Sequence, residues 1–295
     1  MTSNKGNKQL GAIFGAAVGD ALGLTYEFKK PGWIPAPPFN IVGGGPFNFP
    51  LGDGSDDTDL MYVVLNNYDK NGVYSLEGAM QDMVAWLATN PPDIGNQTRT
   101  SLIHWRDYRD EPAVDQDAQG NGGLMRAAPH ALVTPKIEEA ASYAYFDTRA
   151  THNSDLAGDA SAFYAAYLWW LVHRDTSTTM ARFRARGLSQ NAYMKFIPYA
   201  NYIEAHNMGG HCLHSLRLAL LAVETAKSFE DGINRVISTG GDTDTNACIA
   251  GALLGARFGY SGIPGRWKFD LSQTNAERLV LACDKLEVKL PVLVY

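Results

Sequence analysis

The chain has 295 residues, 45% hydrophobic and 19% charged, with a formal net charge of −6. That composition supplies a sizeable core and excludes a disordered chain, and an acidic balance excludes broad, sequence-independent binding to nucleic acid. Cys212, Cys248 and Cys283 stand far apart with no CxxC, so a disulfide framework is not expected.

Nothing before Leu10 has the apolar run of a signal peptide, and no stretch of about 18 apolar residues follows. The expectation is a cytoplasmic protein without membrane contact, its residues 1–9 a flexible lead-in. Residues 10–24 are apolar and small and read as the first helix. Within it Gly11, Gly15, Gly19 and Gly23 recur every fourth residue, a smooth ridge along which another backbone can approach closely.

Residues 31–53 hold several prolines and Gly43-Gly44-Gly45, which break any regular element. The segment either folds over a site as a lid or runs as a plain surface connection. A helix is predicted over 56–68. Ser75 is a predicted N-cap, with Met80, Met83, Val84 and Leu87 on one face of its helix. Ser154 is a candidate cap for the run 156–172, whose Tyr164, Tyr167, Trp169 and Trp170 read as core. Ser228 and Asp231 form an S-x-x-D box before Ile233. Residues 243–258 and 275–290 read as the last helices. Ala247, Gly251, Gly255 and Gly259 form a second ridge; spacing alone does not say whether the two ridges meet. No convincing alternating strand pattern appears, so the chain reads as all-α.

Two acidic clusters stand just where helices begin, Ser55-Asp56-Asp57-Thr58-Asp59 and Gly240-Gly241-Asp242-Thr243-Asp244-Thr245. One aspartate at a helix start is most often a cap. Two such clusters, each mixing hydroxyls with carboxylates, suggest more. Glu27 follows Asp20 by two helical turns if the first helix persists. Glu27, Ser55, Asp56, Asp57, Asp242, Asp244 and Thr245 together offer five carboxylates and two hydroxyls, which two divalent cations would nearly neutralise. Mg²⁺ or Mn²⁺ suits such a set better than Zn²⁺, which usually takes His or Cys. His206, His211 and His214 lack a usual metal spacing and an acidic neighbour, and read as helix surface.

The segments GAIFGAAVGDALGLTYEF, SDDTDLM, GNGGLMRAAPHAL, THNSD and GGDTDTNACIAGALLGARFG, in that order, resemble the ADP-ribosylglycohydrolase family, most of all its dinitrogenase-reductase-activating branch. The resemblance implies a single compact multi-helix orthogonal bundle over residues 10–295 with a binuclear metal cleft holding two Mg²⁺ or Mn²⁺ ions. It implies removal of ADP-ribose from a modified protein or small-molecule acceptor, with ADP-ribose as product. Carried over by motif, Ser55, Asp56, Asp57, Asp242, Asp244 and Thr245 would be the metal ligands, with Ser55 where the family commonly has threonine. Glu27 would be a ligand or acid/base group. Asn121, Gly122 and Gly123 would hold the pyrophosphate on a glycine turn, His152 would line the cleft, and Tyr199 is a candidate platform for adenine. Asp93, in Pro91-Pro92-Asp93-Ile94-Gly95, corresponds to an aspartate near the reacting centre in the arginine-acting branch and points to an arginine acceptor. A crystallin-like or non-catalytic ADP-ribose-binding relative and a two-metal phosphoesterase are the rival readings.

Overall fold

Ser3 opens the first helix by accepting the Gly6 N–H at 3.1 Å, and α1 runs Asn4–Gly23. Residues 4–9, expected to form a flexible lead-in, therefore belong to the helix. Their polar side chains conceal it in the sequence because they reach backbone carbonyls: Gln9 Nε2 donates to Leu132 O at 2.8 Å and Lys8 Nζ to Leu171 O at 2.9 Å. The computed structural model describes residues 3–188, 196–271 and 273–288.

The remaining helices are α2 (Asp56–Asn66), α3 (Leu76–Leu87), α4 (Asn96–Tyr108), α5 (Ala128–Val133), α6 (Ile137–Arg149), α7 (Asp155–His173), α8 (Thr178–Ala185), α9 (Cys212–Thr225), α10 (Phe229–Ile237), α11 (Thr243–Phe258), α12 (Gly265–Asp270) and α13 (Gln273–Lys285). Among the described residues, extended pairing is confined to isolated bridges such as Gly44 with Phe49. The fold is all-α, and no described helix is long and apolar enough to cross a membrane.

Ser75 and Ser228 cap as expected, accepting the Gly78 and Asp231 N–H groups at 3.1 Å each. Asp231 turns to the Lys227 N–H at 2.9 Å rather than closing the box on Ser228. Ser154 occupies the N-cap position of α7 without making a cap bond. α4 and α6 escape a hydropathy reading for a physical reason. α4 buries Thr98 and Ser101 beside Leu102 and Trp105, and α6 buries mostly alanines, so neither shows a bulky apolar stripe. The last helix ends at Lys285, short of the expected 290, and residues 289–295 lie outside those described.

The two glycine ridges pack on each other. A Cβ on Gly11 would strike the Gly255 carbonyl, one on Gly15 the Gly251 carbonyl, and one on Gly19 the Ala247 carbonyl. The rising and falling numbers make α1 and α11 antiparallel neighbours with touching backbones. Each glycine loses up to about 1 kcal/mol of helix propensity, which this contact offsets. Around the pair lies one apolar core that includes Leu10, Ile13, Leu22, Phe163, Tyr164, Tyr167 and Leu253. The irregular stretch 31–53 packs partly on that core, with Phe39 buried beside Tyr26 and its carbonyl accepting from Trp267 Nε1 at 3.1 Å.

Candidate active site

Antiparallel packing brings the C-terminal end of α1 to the N-terminal end of α11. Thr243 Oγ1 donates to Gly23 O at 2.8 Å across that junction. The start of α2 is drawn to the same point by Asp20, a fully buried carboxylate inside the first glycine ridge. Asp20 Oδ2 accepts the backbone N–H of Ser55 at 2.9 Å and of Thr58 at 3.2 Å, and the Thr58 hydroxyl as well. Three helix ends thus converge, and two of them are N-termini whose dipoles favour anions.

The expected acidic residues meet there. Oxygens of Asp20, Asp57 and Asp244 lie within 4.8 Å of one another, as do oxygens of Glu27, Asp242 and Asp244. Asp244 is common to both groups. Ser55 Oγ lies 3.0 Å from Asp57 Oδ2, and Thr245 Oγ1 donates to that oxygen at 3.2 Å. Asp56 stands at the edge, accepting the Gly95 N–H at 3.2 Å. Glu27 does not continue α1. The helix ends at Gly23, a 3₁₀ turn spans Leu24–Tyr26, and Glu27 enters from an extended backbone.

Burial raises the proton affinity of Asp20, Glu27, Asp56, Asp57 and Asp244, and for the last four repulsion from neighbouring carboxylates adds to it. Asp20 is pushed up to about 6 by burial, against hydrogen bonds from Thr58 and Ser55 that lower it. Glu27 is pushed up to about 9, first by burial and then by the Asp93 charge. Asp56, Asp57 and Asp244 are held well above the usual carboxylate range by burial, with neighbouring aspartates adding. Glu27 Oε2, Asp57 Oδ1 and Asp244 Oδ1 are buried with no hydrogen-bond partner. Buried acceptors are rarely left so. An oxygen-only donor set with three orphaned oxygens fits hard divalent cations, which would neutralise the carboxylates and satisfy those atoms.

Above this floor opens a cleft of about 750 Å³, lined by Glu27, Asp56, Asp93, Asn121, Gly122, His152, Asp242, Asp244 and Thr245 among others. Asn121 Nδ2 donates to Asp242 Oδ2 at 2.7 Å and to Ser215 Oγ at 3.0 Å, tying the glycine loop to α11 and α9. Asp93 is pushed up to about 6 by burial and by the Asp242 charge.

Two expected residues stand elsewhere. A Cβ on Gly123 would meet Thr148 Oγ1 at 2.6 Å; this glycine packs under the loop against α6 and does not line the cleft. Tyr199 is only 5% exposed, its ring stacked on His214 and covered by the Arg217 guanidinium at 4.1 Å, so neither face is open to adenine. The turn after Gly123 is not a helix start either, since α5 begins at Ala128.

Asp20, Gly209, Gly210, Arg99, Phe28 and Phe47 belong to the site or its walls and were not singled out by sequence. Asp20 had a visible signal, being the one carboxylate inside an apolar glycine ridge. Gly209-Gly210 before α9 repeats the glycine-pair pattern of the 120–123 loop.

The ADP-ribosylglycohydrolase family model matches residues 1–290. The chain is 30% identical to the ADP-ribosylarginine hydrolase Tri1 of Pseudomonas putida, over 87% of this chain and 72% of that one. It is 28% identical to the ADP-ribosyl-[dinitrogen reductase] glycohydrolase of Rhodospirillum rubrum, over 88% and 89%. A solved ADP-ribosylglycohydrolase-related protein complex superposes with a TM-score of 0.79 at 27% identity, covering 96% of this chain and 98% of that one. Since the family model spans nearly the whole sequence and the all-helical frame superposes end to end, the chain belongs to the ADP-ribosylglycohydrolase family, glycosidases that hydrolyse ADP-ribose linkages.

Proposed function

We propose that this protein is a divalent-metal-dependent hydrolase that cleaves the glycosidic bond between ADP-ribose and an arginine side chain, releasing ADP-ribose from a modified protein in the cytoplasm. The observation that carries the metal dependence is the pair of oxygen-only groups sharing Asp244, with three orphaned buried oxygens at the floor of the cleft. Glu27, Ser55, Asp56, Asp57, Asp242, Asp244 and Thr245 are the residues that would hold two Mg²⁺ or Mn²⁺ ions. Arginine is supported by Asp93, a half-buried carboxylate on the cleft wall able to pair with a planar guanidinium, and by relatives that are named as ADP-ribosylarginine hydrolases. Three free, buried cysteines support the reducing setting.

Cleavage adds water across the bond, with the hydroxyl going to the anomeric carbon and the proton to the leaving guanidine, through an oxocarbenium-like transition state. Bound cations would supply positive charge that orients ribose hydroxyls and acidifies water. Asp93 holds the guanidinium against the cleft wall. Glu27 and Asp93 are the carboxylates placed to take the water proton or pass one to the leaving group. Asn121 and Gly122 hold the loop against the ligand, and His152 closes the side.

The test is incubation with an arginine-ADP-ribosylated protein, with Mg²⁺ or Mn²⁺ and with chelator. Metal-dependent release of ADP-ribose is expected. Release that persists undiminished in chelator overturns the metal requirement; ADP-ribose binding without release from arginine overturns the acceptor.

A further inference from the structure

Arg126 is fully buried behind the glycine loop. Its guanidinium donates from Nε to Asp147 Oδ2 at 2.8 Å and from Nη1 to Gly122 O at 3.0 Å. Nη2 donates to Asp147 O at 2.8 Å and to Thr151 Oγ1 at 2.9 Å. Thr151 is held from a second side by α4, where Ser101 Oγ donates to Thr151 O at 2.7 Å and Gln97 Nε2 donates at 3.1 Å. Thr151 Oγ1 lies 3.0 Å from His152 Nδ1.

The Thr151 hydroxyl has one proton to give. One acceptor in reach is Thr148 O at 3.4 Å, but that carbonyl already accepts the Thr151 N–H at 3.1 Å and the His152 N–H at 2.8 Å. A carbonyl has two lone pairs, so its capacity is used. The other acceptor is His152 Nδ1, closer and otherwise unprovided for. The Arg126 charge on the hydroxyl oxygen makes that proton a stronger donor. With Nδ1 accepting, a neutral ring carries its proton on Nε2. Burial, with Arg126 adding, holds the imidazole neutral, its pKa lowered to about 3. Nε2 faces the loop and the cleft: a Cβ on Gly120 would lie 2.9 Å from it, and one on Gly122 3.2 Å.

We infer that Arg126 and Thr151 are positioning residues that fix His152 as the Nε2–H tautomer, a neutral donor aimed at an oxygen of the ligand beside the Gly120–Gly122 loop. The same guanidinium registers the loop through Gly122 O, so donor and loop keep one geometry. The identity of the ligand rests on the ADP-ribose reading above; the tautomer does not.

The test is long-range ¹H–¹⁵N correlation on histidine-labelled protein, with the His152 signals assigned by His152→Gln. A bare Nδ1 and protonated Nε2, unchanged between about pH 8 and 5, are expected. Thr151→Val should move the proton wholly or partly to Nδ1 and weaken ADP-ribose binding in Mg²⁺ about tenfold, the size of one lost charge-assisted hydrogen bond. Thr151→Ser should restore both. A protonated Nδ1 in the unaltered protein, or an unchanged tautomer in Thr151→Val, overturns the assignment. If Thr151→Val does not fold, the unaltered spectrum and that of Thr151→Ser decide it. The expected tautomer without ADP-ribose binding in any variant leaves the relay standing and overturns the ligand reading instead.

Discussion

Asp20 Oδ2 accepts the Ser55 N–H at 2.9 Å while Asp20 Oδ1 accepts the Ser55 hydroxyl at 3.0 Å, so a carboxylate on α1 holds both polar groups of the residue that caps α2. Ser55 Oγ also lies 3.0 Å from Asp57 Oδ2. Asp20 therefore orients Ser55 through direct bonds and Asp57 only by way of Ser55, and it presents an oxygen to Asp57 and Asp244.

Asp20→Asn should weaken Mn²⁺ affinity on the order of 10- to 100-fold, as expected when a group orienting metal ligands is lost. The amide keeps the size of the side chain but cannot accept at both oxygens. Calorimetric titration with Mn²⁺ checks it, and unchanged affinity would remove Asp20 from the site.

Asp57→Asn should abolish turnover and, in chelator, make the protein more stable. Without a cation Asp57 is a buried carboxylate repelled by Asp20, Asp56 and Asp242, and the amide removes that repulsion. A gain of about 1 kcal/mol or more in urea unfolding is expected, from the size of a one-unit shift. Loss of stability in chelator would argue that the site is built as a hydrogen-bonded cluster rather than for a cation.

Gly19→Ala should destabilise the fold by about 3 kcal/mol or more, because its Cβ would strike the Ala247 carbonyl and approach Cys248 N to 3.0 Å. Backbone on both sides has no rotamer to escape into. Gly265→Ala, with nothing within 4 Å of the added carbon, should stay near neutral in the same denaturation series.

His173 gives a pH dependence remote from the carboxylates. Burial, with Lys5 adding, lowers it to about 4, and its ring stacks on Trp169 with centroids 4.7 Å apart. The unfolded imidazole titrates near 6.5. Between about pH 4 and 6.5 the unfolded chain binds more protons, so stability rises with pH there. The contribution is complete above about 6.5 and is lost as pH falls toward 4, by at most about 3 kcal/mol. Urea unfolding of the unaltered protein and His173→Gln should show their difference shrinking over that window; a constant difference would contradict it.

Much of this protein is written locally. The Ser75 and Ser228 caps, the long α7 and the start of α11 follow from residues within a turn or two, because capping and helical periodicity are short-range effects. Ser55, Asp56, Asp57, Asp242, Asp244 and Thr245 were legible as a set because like charges crowded at two helix starts need an explanation.

What spacing could not show was which distant pieces meet. The glycine ridges were visible, but only their packing decided that they face each other, and that contact is what joins two acidic clusters far apart in sequence. Asp20 looked like a register mark because its partners Ser55 and Thr58 lie 35 and 38 residues away. Tyr199 and Gly123 have the right chemistry for a ligand, yet Arg217, His214 and Thr148 already occupy the space around them. The sequence by itself determined residue chemistry and helix starts, which local bonds control. The tertiary structure alone decided which faces remain open to a ligand, because exclusion by packed neighbours is a property of the folded whole.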